Sequence, residues 1–147
     1  MDIIIINDNK KDFLDLLLLA DEQEDMIDKY LHRGLLFALY DDDLKSICVV
    51  TDEGNGVFEI QNLATYPKFQ GKGYAKYLIN HVCNYCKKLG TTILVGTGDS
   101  PLTVPFYEKS GFTFSHRLEN YFVEHYDKPI IENSIQIKDK VYFKRNL

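Results

Sequence analysis

The apolar residues of the N-terminal third follow first a strand pattern and then a helical one. Met1 to Ile6 is a β-branched run, which predicts a buried first strand. Two stretches with apolar residues at helical spacing come next, so we expect two amphipathic helices, the second one capped by Asp21. The predicted apolar stripes consist of Phe13, Leu14, Leu17 and Leu18 in the first helix and of Met26, Ile27, Tyr30 and Leu31 in the second.

Alternating residues then predict a meander of three strands. The strands cover Leu35 to Tyr40, Leu44 to Val50 and Val57 to Thr65. Asn55-Gly56 predicts a tight hairpin turn between the last two. In the third strand, strict alternation places Glu59, Gln61 and Leu63 on one face. The two polar residues indicate either a solvent-facing end of the sheet or the lining of a cleft.

The second half of the chain mixes both patterns. First comes a helix of about five turns, whose apolar face consists of Tyr74, Tyr77, Leu78, Val82, Tyr85 and Leu89, followed by a strand over Thr92 to Val95. A second helix starts at Pro101 after the cap Ser100, and a strand over Phe112 to Leu118 follows it. The chain then has a short helix or lid within Glu119 to Asp127 and a final strand with Ile135, Ile137, Asp139, Val141 and Phe143 on one face. Pro105 would lie inside the second of these helices, where a proline bends or interrupts the backbone.

Composition narrows the class of protein. With 147 residues we expect a single domain over 1–147. The net charge of -5 argues against a nucleic-acid partner, because such binding needs clustered cations. The apolar run Leu16 to Ala20 is too short to span a membrane, and three cysteines without a signal peptide predict a cytoplasmic protein without disulfides. Cys83 and Cys86 lack a second pair at ligand spacing, so we interpret them as packed thiols and predict no metal.

A glycine-containing turn stands between the third meander strand and the long helix. It reads Gln70-Gly71-Lys72-Gly73-Tyr74-Ala75. Two glycines let the backbone turn tightly and approach a ligand, and the helix that follows directs unpaired amides at the turn. Lys68, Lys72 and Lys76 add positive charge in an acidic chain. The turn is therefore predicted to bind a phosphate group.

Two motifs resemble the GNAT superfamily of acetyl-CoA-dependent N-acetyltransferases. Gln70, Gly73 and Ala75 match the family's Gln/Arg-x-x-Gly-x-Gly/Ala loop. Tyr107, with the Gly111-Phe112 pair after it, matches the family's Tyr-x-x-x-Gly-Phe segment. The resemblance covers about Leu35 to Phe114 and implies an α/β fold with a mixed, mostly antiparallel sheet flanked by helices. In such a fold the third meander strand and the strand over Thr92 to Val95 separate, and acetyl-CoA binds in the gap between them.

The resemblance also implies roles for individual residues. Glu59 matches a general-base glutamate, the Leu63 amide would polarise the thioester carbonyl, and Tyr107 would protonate the departing thiolate. Asp99 stands where many relatives carry asparagine, so it lacks that donor. The implied acetyl-CoA contacts are Leu63, Ala64, Thr65, Gln70, Gly71, Lys72, Gly73, Tyr74, Ala75, Lys76, Asp99, Ser100, Phe106 and Tyr107.

The predicted activity is direct acetyl transfer to a primary amine of a small molecule or peptide. The alternative is a regulatory or degenerate module that binds acyl-CoA without turnover, an alternative favoured by Asp99 and Pro105. A homodimer through the C-terminal strand is compatible with either function. The resemblance does not identify the acceptor.

Overall fold

A seven-stranded mixed sheet forms the centre of the protein, as a computed structural model of residues 1–147 shows. The strand order is β1-β2-β3-β4-β5-β9-β6, and only β4 and β5 run parallel. The seven strands are β1 (Asp2–Ile6), β2 (Leu35–Asp41), β3 (Asp43–Gly54), β4 (Val57–Thr65), β5 (Thr92–Gly98), β6 (Thr113–Leu118) and β9 (Lys140–Asn146). The predicted fold class, a mostly antiparallel α/β sheet with one parallel pair, is confirmed.

Helices cover both faces of the sheet. On one face α1 (Leu14–Ala20) and α2 (Glu24–Leu31) pack against β2, β3 and the end of β4. On the other face α3 (Tyr74–Lys87) and α4 (Val104–Lys109) form the larger core cluster with the middle of the sheet. The short helix α5 (Tyr121–His125) precedes a separate hairpin of β7 (Ile130–Glu132) and β8 (Ile135–Ile137).

The β3–β4 hairpin follows its sequence signals closely. Asn55 and Gly56 both have positive φ, 56° and 77°, as a two-residue type I′ turn requires. β4 has the predicted bounds, Val57 to Thr65. The turn fixes the start of the β3–β4 register and therefore the position of the strand that carries most of the predicted site.

A β-bulge in β4 overturns the predicted alternation. Val49 pairs with Asn62 and Val50 with Ile60, which leaves Gln61 as an extra residue. Ile60 faces the α3 core, and beyond the bulge Leu63 packs on the same core. The prediction that Glu59 and Leu63 share a face is wrong. One extra residue moves every side chain after it to the opposite face of the sheet.

Three N-terminal details also differ from prediction. β1 is an edge strand with Ile4 about half exposed (48%), not a buried strand. Leu16 and Leu17 are the buried residues of α1, which begins after a short 3-10 helix over Lys10–Phe13. Gln23, not Asp21, occupies the N-cap position of α2, and the predicted stripe of α2 is fully buried.

The central helices differ at their ends. α3 ends at Lys87, so Leu89 lies beyond it and is exposed, and Tyr77 is half exposed. α4 begins at Val104, later than predicted, and this places Pro105 in its first turn. A proline in the first turn removes no intrahelical hydrogen bond, so the expected distortion at Pro105 does not occur. Cys83 and Cys86 are buried free thiols, as predicted.

The predicted final strand is in fact two strands. β8 pairs with β7, and β9 lies inside the large sheet between β5 and β6. Asp139 lies in the connection between the two strands. Both edges of β9 are already paired, so this strand has no free edge for pairing with a second copy, and a homodimer stays a prediction. None of the helices is both long and apolar enough to cross a bilayer.

Candidate active site

A cavity of about 410 Å³ opens where β4 and β5 separate. The two strands pair from Val57 with Thr92 to Ile60 with Val95, and no pair follows. β4 stays paired with β3, and β5 continues along β9. One backbone edge of β4 and one of β5 therefore face the cavity without a strand partner beyond Ile60 and Val95.

The predicted β4 contacts lie at this opening. Leu63, Ala64 and Thr65 all line the cavity. The Gln70 side chain donates to the Thr65 carbonyl over 3.2 Å, which ties the glycine turn to the end of β4. The cavity thus leads from the strand gap to the first residue of the turn.

The glycine turn has the geometry of an anion site. Gly71 and Gly73 have φ of 75° and 87°, and no atom lies within 4 Å of the position where a Cβ would stand on either residue. The backbone amides of residues 71–76 donate no hydrogen bond within the protein. Six successive backbone donors are therefore unpaired at the N-terminus of a 14-residue helix, where the positive end of the helix dipole also lies.

Positive side chains surround the turn. The ammonium groups of Lys45, Lys68 and Lys72 lie 3.5, 5.0 and 5.8 Å from the centre of the Phe69 ring. Cation–π contacts of this kind leave the charge in place, so Lys68 and Lys72 contribute positive charge near the turn, whereas Lys45 is also paired with Asp43. Lys76 is exposed on the first turn of α3, and the half-buried Tyr74 donates to Asp41 over 2.7 Å, which anchors the helix start to β2.

Tyr107 reaches the cavity from α4. Its side chain is 8% exposed and packs edge-on against Phe106 and Phe112 at 5.2 and 5.8 Å between ring centres. Burial raises the pKa of Tyr107 above its ordinary value, so the phenol remains protonated at neutral pH. Tyr107 lines the cavity, and its hydroxyl makes no hydrogen bond to another side chain, which leaves its proton available to a ligand.

Glu59 lies near the cavity but does not line it. The residue is half-buried on the α1–α2 face of β4, and burial raises the pKa of its carboxyl, an effect that Lys140 opposes. Lys140 lines the cavity. Glu59 can therefore exchange a proton with a molecule in the cavity only through an intervening group.

Asp99, Ser100 and Phe106 lie outside the cavity wall. The Asp99 carboxylate accepts a hydrogen bond of 2.7 Å from Arg117, which also binds Asp139. Ser100 is buried and its hydroxyl accepts from the Leu102 amide, so it caps a turn before α4. Asp139 also accepts from the Asn120 amide and does not line the cavity, and these contacts lower its pKa.

A hydrogen-bonded cluster in the cavity wall was not predicted. Asp21 accepts from the hydroxyls of Tyr30 and Tyr126 over 2.9 and 2.5 Å, and the Asn62 side-chain amide donates to Tyr30 over 3.1 Å. Burial raises the pKa of the Asp21 carboxyl, and the two phenols oppose that rise. The cluster joins β4, α2 and the segment after α5. Its one sequence signal was Asn62, a polar residue among buried apolar neighbours of β4.

Comparisons with known proteins identify the same fold and family. The family model described as "Acetyltransferase (GNAT) family" matches residues 5–112. A curated relative, the uncharacterized N-acetyltransferase YvbK of Bacillus subtilis strain 168, is 38% identical over 130 residues, covering 86% of this chain and 84% of that protein.

Solved structures match over nearly the whole length. A GNAT family acetyltransferase from Elizabethkingia anophelis with acetyl-CoA bound is 31% identical, with a TM-score of 0.93 over 99% of this chain and 97% of that one. A Bacillus subtilis acetyltransferase in complex with CoA is 34% identical, with a TM-score of 0.90 over the same shares of the two chains.

The Asp21 cluster generates a first prediction. Tyr126→Phe removes a hydrogen bond that favours the ionised carboxylate, so the pKa of Asp21 should rise further. The free energy of unfolding should fall by about 1–3 kcal/mol at neutral pH. Because the phenol stabilises the carboxylate, this loss should shrink as the pH falls through the raised folded-state pKa of Asp21, where the carboxyl becomes neutral in the folded protein. Carboxyl NMR titration and urea unfolding measure the two effects.

Tyr77→Phe is the matched control, because that tyrosine is half exposed on α3 and distant from the cluster. An unchanged Asp21 titration in Tyr126→Phe would show that the phenol does not stabilise the carboxylate.

Proposed function

Since the chain belongs to the GNAT acetyltransferase family, we propose that it transfers an acetyl group from acetyl-CoA directly to a primary amine of a small molecule or peptide. The observation that carries the proposal is that the cavity runs from the gap between β4 and β5 to Gln70, directly before the unpaired amides of residues 71–76. The Elizabethkingia relative binds acetyl-CoA and the Bacillus relative binds CoA, which supports the same ligand here. A cytoplasmic location and a single-domain organisation stay predictions.

The residues of the glycine turn fit the pyrophosphate of acetyl-CoA. Backbone donors at a helix N-terminus bind phosphate oxygens, and the absence of side chains at Gly71 and Gly73 lets the ligand approach. Lys68, Lys72 and Lys76 would add attraction from the rim. The free edge of β4 at Leu63, Ala64 and Thr65 offers backbone groups to the amides of the pantetheine arm.

The acceptor amine has to lose a proton before it attacks. An amine with a pKa near 10.4 is neutral in only about one molecule in a few thousand at pH 7. We assign the base to Glu59, whose raised pKa brings it closer to the working pH than an ordinary glutamate. Because Glu59 does not line the cavity, the proton would reach it through one water molecule.

Two groups would assist the acyl transfer itself. When bound, acetyl-CoA supplies an activated acetyl group as a thioester. The amide of Leu63 would donate to the carbonyl oxygen as negative charge develops there. Tyr107, protonated and free of other side-chain hydrogen bonds, would give its proton to the departing thiolate.

The two residues that favoured a binding module without turnover, Pro105 and Asp99, both carry less weight in this fold. Pro105 lies in the first turn of α4, and Tyr107 reaches the cavity wall. Asp99 is engaged by Arg117 and lies outside the wall, so its difference from relatives bears little on the cavity. A panel of primary amines tested for acetylation distinguishes the two functions.

If the glycine turn binds the pyrophosphate, a negative side chain placed in it should weaken acetyl-CoA binding. Gly73→Asp places a carboxylate among the unpaired amides, and a like charge about 4 Å from a phosphate costs several kcal/mol. Acetyl-CoA affinity, measured by calorimetry, should fall at least about 100-fold. Gly54→Asp is a close control, because Gly54 has φ of 86° and equally open surroundings, at the end of β3. Equal affinities of the two variants would remove the turn from the ligand site.

The acid role predicts a selective effect of Tyr107→Phe. The substitution keeps the ring that packs between Phe106 and Phe112 but removes the proton, so kcat should fall about 100-fold while the acetyl-CoA dissociation constant changes little. Tyr85→Phe, on a half-buried tyrosine that packs on Phe37, is the control. An unaltered kcat in single-turnover measurements would make Tyr107 a packing residue.

The base role predicts both a rate loss and a change in pH dependence. Glu59→Gln preserves size but accepts no proton, so kcat/KM should fall about 100-fold and recover partly at higher pH, where free amine is more abundant. In wild type, kcat/KM should rise with pH through the raised pKa of Glu59. Asp21→Asn tests the other carboxyl with a raised pKa. If Glu59→Gln stays within about threefold of wild type and Asp21→Asn does not, the base is Asp21.

A further inference from the structure

Lys140, in β9, presents a cation without a partner to the cavity. Its side chain is largely buried and lines the cavity wall. No carboxylate lies within 4 Å of its ammonium group, which donates no hydrogen bond within the protein. Its nearest neighbours are the faces of Tyr121 and Tyr142, at 4.6 and 5.0 Å from the ring centres. An aromatic face compensates only part of the hydration that a buried ammonium loses.

The position of Lys140 is built into the sheet. The β5 residues that pair with Lys140 and Tyr142 of β9 are both glycines, Gly98 and Gly96. A Cβ on Gly96 would collide with the Lys140 side chain and would lie 2.9 Å from the Tyr142 ring. The missing side chain on Gly96 therefore leaves room for the lysine to lie across the strand.

The electrostatics show that the ammonium is incompletely compensated. Glu59 and Asp21 attract it from beyond ion-pair distance, yet burial still lowers the pKa of Lys140 below its ordinary value. An anion bound beside Lys140 would restore that stabilisation. The cavity wall therefore has one strong site for a negative group.

Hydrogen-bond acceptors in the same wall lack donors. The Asn62 side chain is 3% exposed, and its carbonyl oxygen has no partner, nor has one buried carboxylate oxygen of Glu132. Both residues line the cavity. A buried acceptor without a donor costs about 1–3 kcal/mol, so this part of the wall carries uncompensated negative potential.

The charged residues of the wall balance in sign. Three are acidic and three are basic, namely Asp21, Glu22 and Glu132 against Lys29, Arg33 and Lys140. A polyamine acceptor carries several positive charges and would bind more strongly to a wall with a net negative charge. A small ligand that carries one charge of each sign suits a balanced wall. Arg33 is already paired with Glu53 and Lys29 is exposed, which leaves Lys140 as the deep anion contact.

We propose that Lys140 binds a carboxylate on the acetyl acceptor, so that the acceptor is an amino-acid-like compound with an amine and a carboxylate. This inference rests on the proposed acetyl transfer to a primary amine. The acidic residues of the wall, Asp21, Glu22 and Glu132, favour the amine end, and the lone ammonium of Lys140 accounts for one negative charge, which a carboxylate supplies. Lys140 acts in recognition and takes no part in the bond changes.

Matched pairs of amines test the inference. Alanine, β-alanine and γ-aminobutyrate are each compared with their carboxamides, which keep the amine and remove the negative charge. Wild type should prefer the carboxylate member of at least one pair by about tenfold or more in kcat/KM, as expected for one charge-assisted hydrogen bond. Lys140→Met should abolish that preference, mainly through KM. Comparing ratios between enzymes cancels the difference in amine pKa within a pair.

Lys138→Met is the control variant, because Lys138 is exposed just before β9 and should leave the preference unchanged. Lys140→Arg should keep part of it, since the charge remains. An equal loss of kcat/KM for both members of a pair in Lys140→Met would show that the lysine only supports the structure, and no preference in wild type would also overturn the inference.

A second measurement does not depend on turnover. Calorimetry of butyrate and butyramide on the CoA-bound protein should show weak binding of butyrate to wild type and none to Lys140→Met. If butyrate binds in this way but no amine is acetylated, the anion site stands and the proposed function fails. If amines are acetylated but butyrate does not compete with them, the proposed function stands and the inference fails.

Discussion

The early separation of the single parallel strand pair is the constraint on which the site depends. β4 and β5 share only four residue pairs, after which β4 follows β3 and β5 follows β9. The bulge at Gln61 lies directly after the last pair, and bulges bend and twist a strand. The separation frees two backbone edges inside the sheet, where unpaired groups would be costly without a ligand or solvent. The separation also leaves room for the cavity, which α4, α5 and the β7–β8 hairpin help to enclose.

The position of the glycine turn, the proposed phosphate site, also depends on where β4 ends. β4 ends at Thr65, and Gln70 returns a hydrogen bond to it, so the start of α3 is held at the end of the opened strand. α3 is in turn fixed by its buried face in the larger core, which includes Leu78, Val82 and Cys86. The unpaired amides of residues 71–76 are therefore positioned by packing far from the ligand, a rigid arrangement that a phosphate site needs.

Local signals predicted the parts of the protein that short stretches determine. Asn55-Gly56 adopts the only turn that suits a two-residue hairpin with that sequence, and the glycines at 71 and 73 have the positive φ that makes them necessary. The bulge at Gln61 has no such signal, because the pairing of Val49 and Val50 creates it across strands. The division of the C-terminal strand likewise depends on where Ile137 and Val141 find partners, which alternation alone does not specify.

The charged residues of the site show why sequence assigned roles to some of them and missed others. Glu59 was found through a family motif, whereas Asp21 and Lys140 gain their properties only when distant segments meet. Asp21 precedes α2 and Lys140 begins β9, yet each influences the pKa of the other inside one cavity. Glu59 and Asp21 partly compensate Lys140, and Lys140 restrains the rise of both carboxyl pKa values. A bound carboxylate would weaken that restraint, and its negative charge would raise the pKa of Glu59 further, towards the range where a base works best at neutral pH. Recognition of an acidic acceptor and activation of its amine would then be coupled through a single lysine.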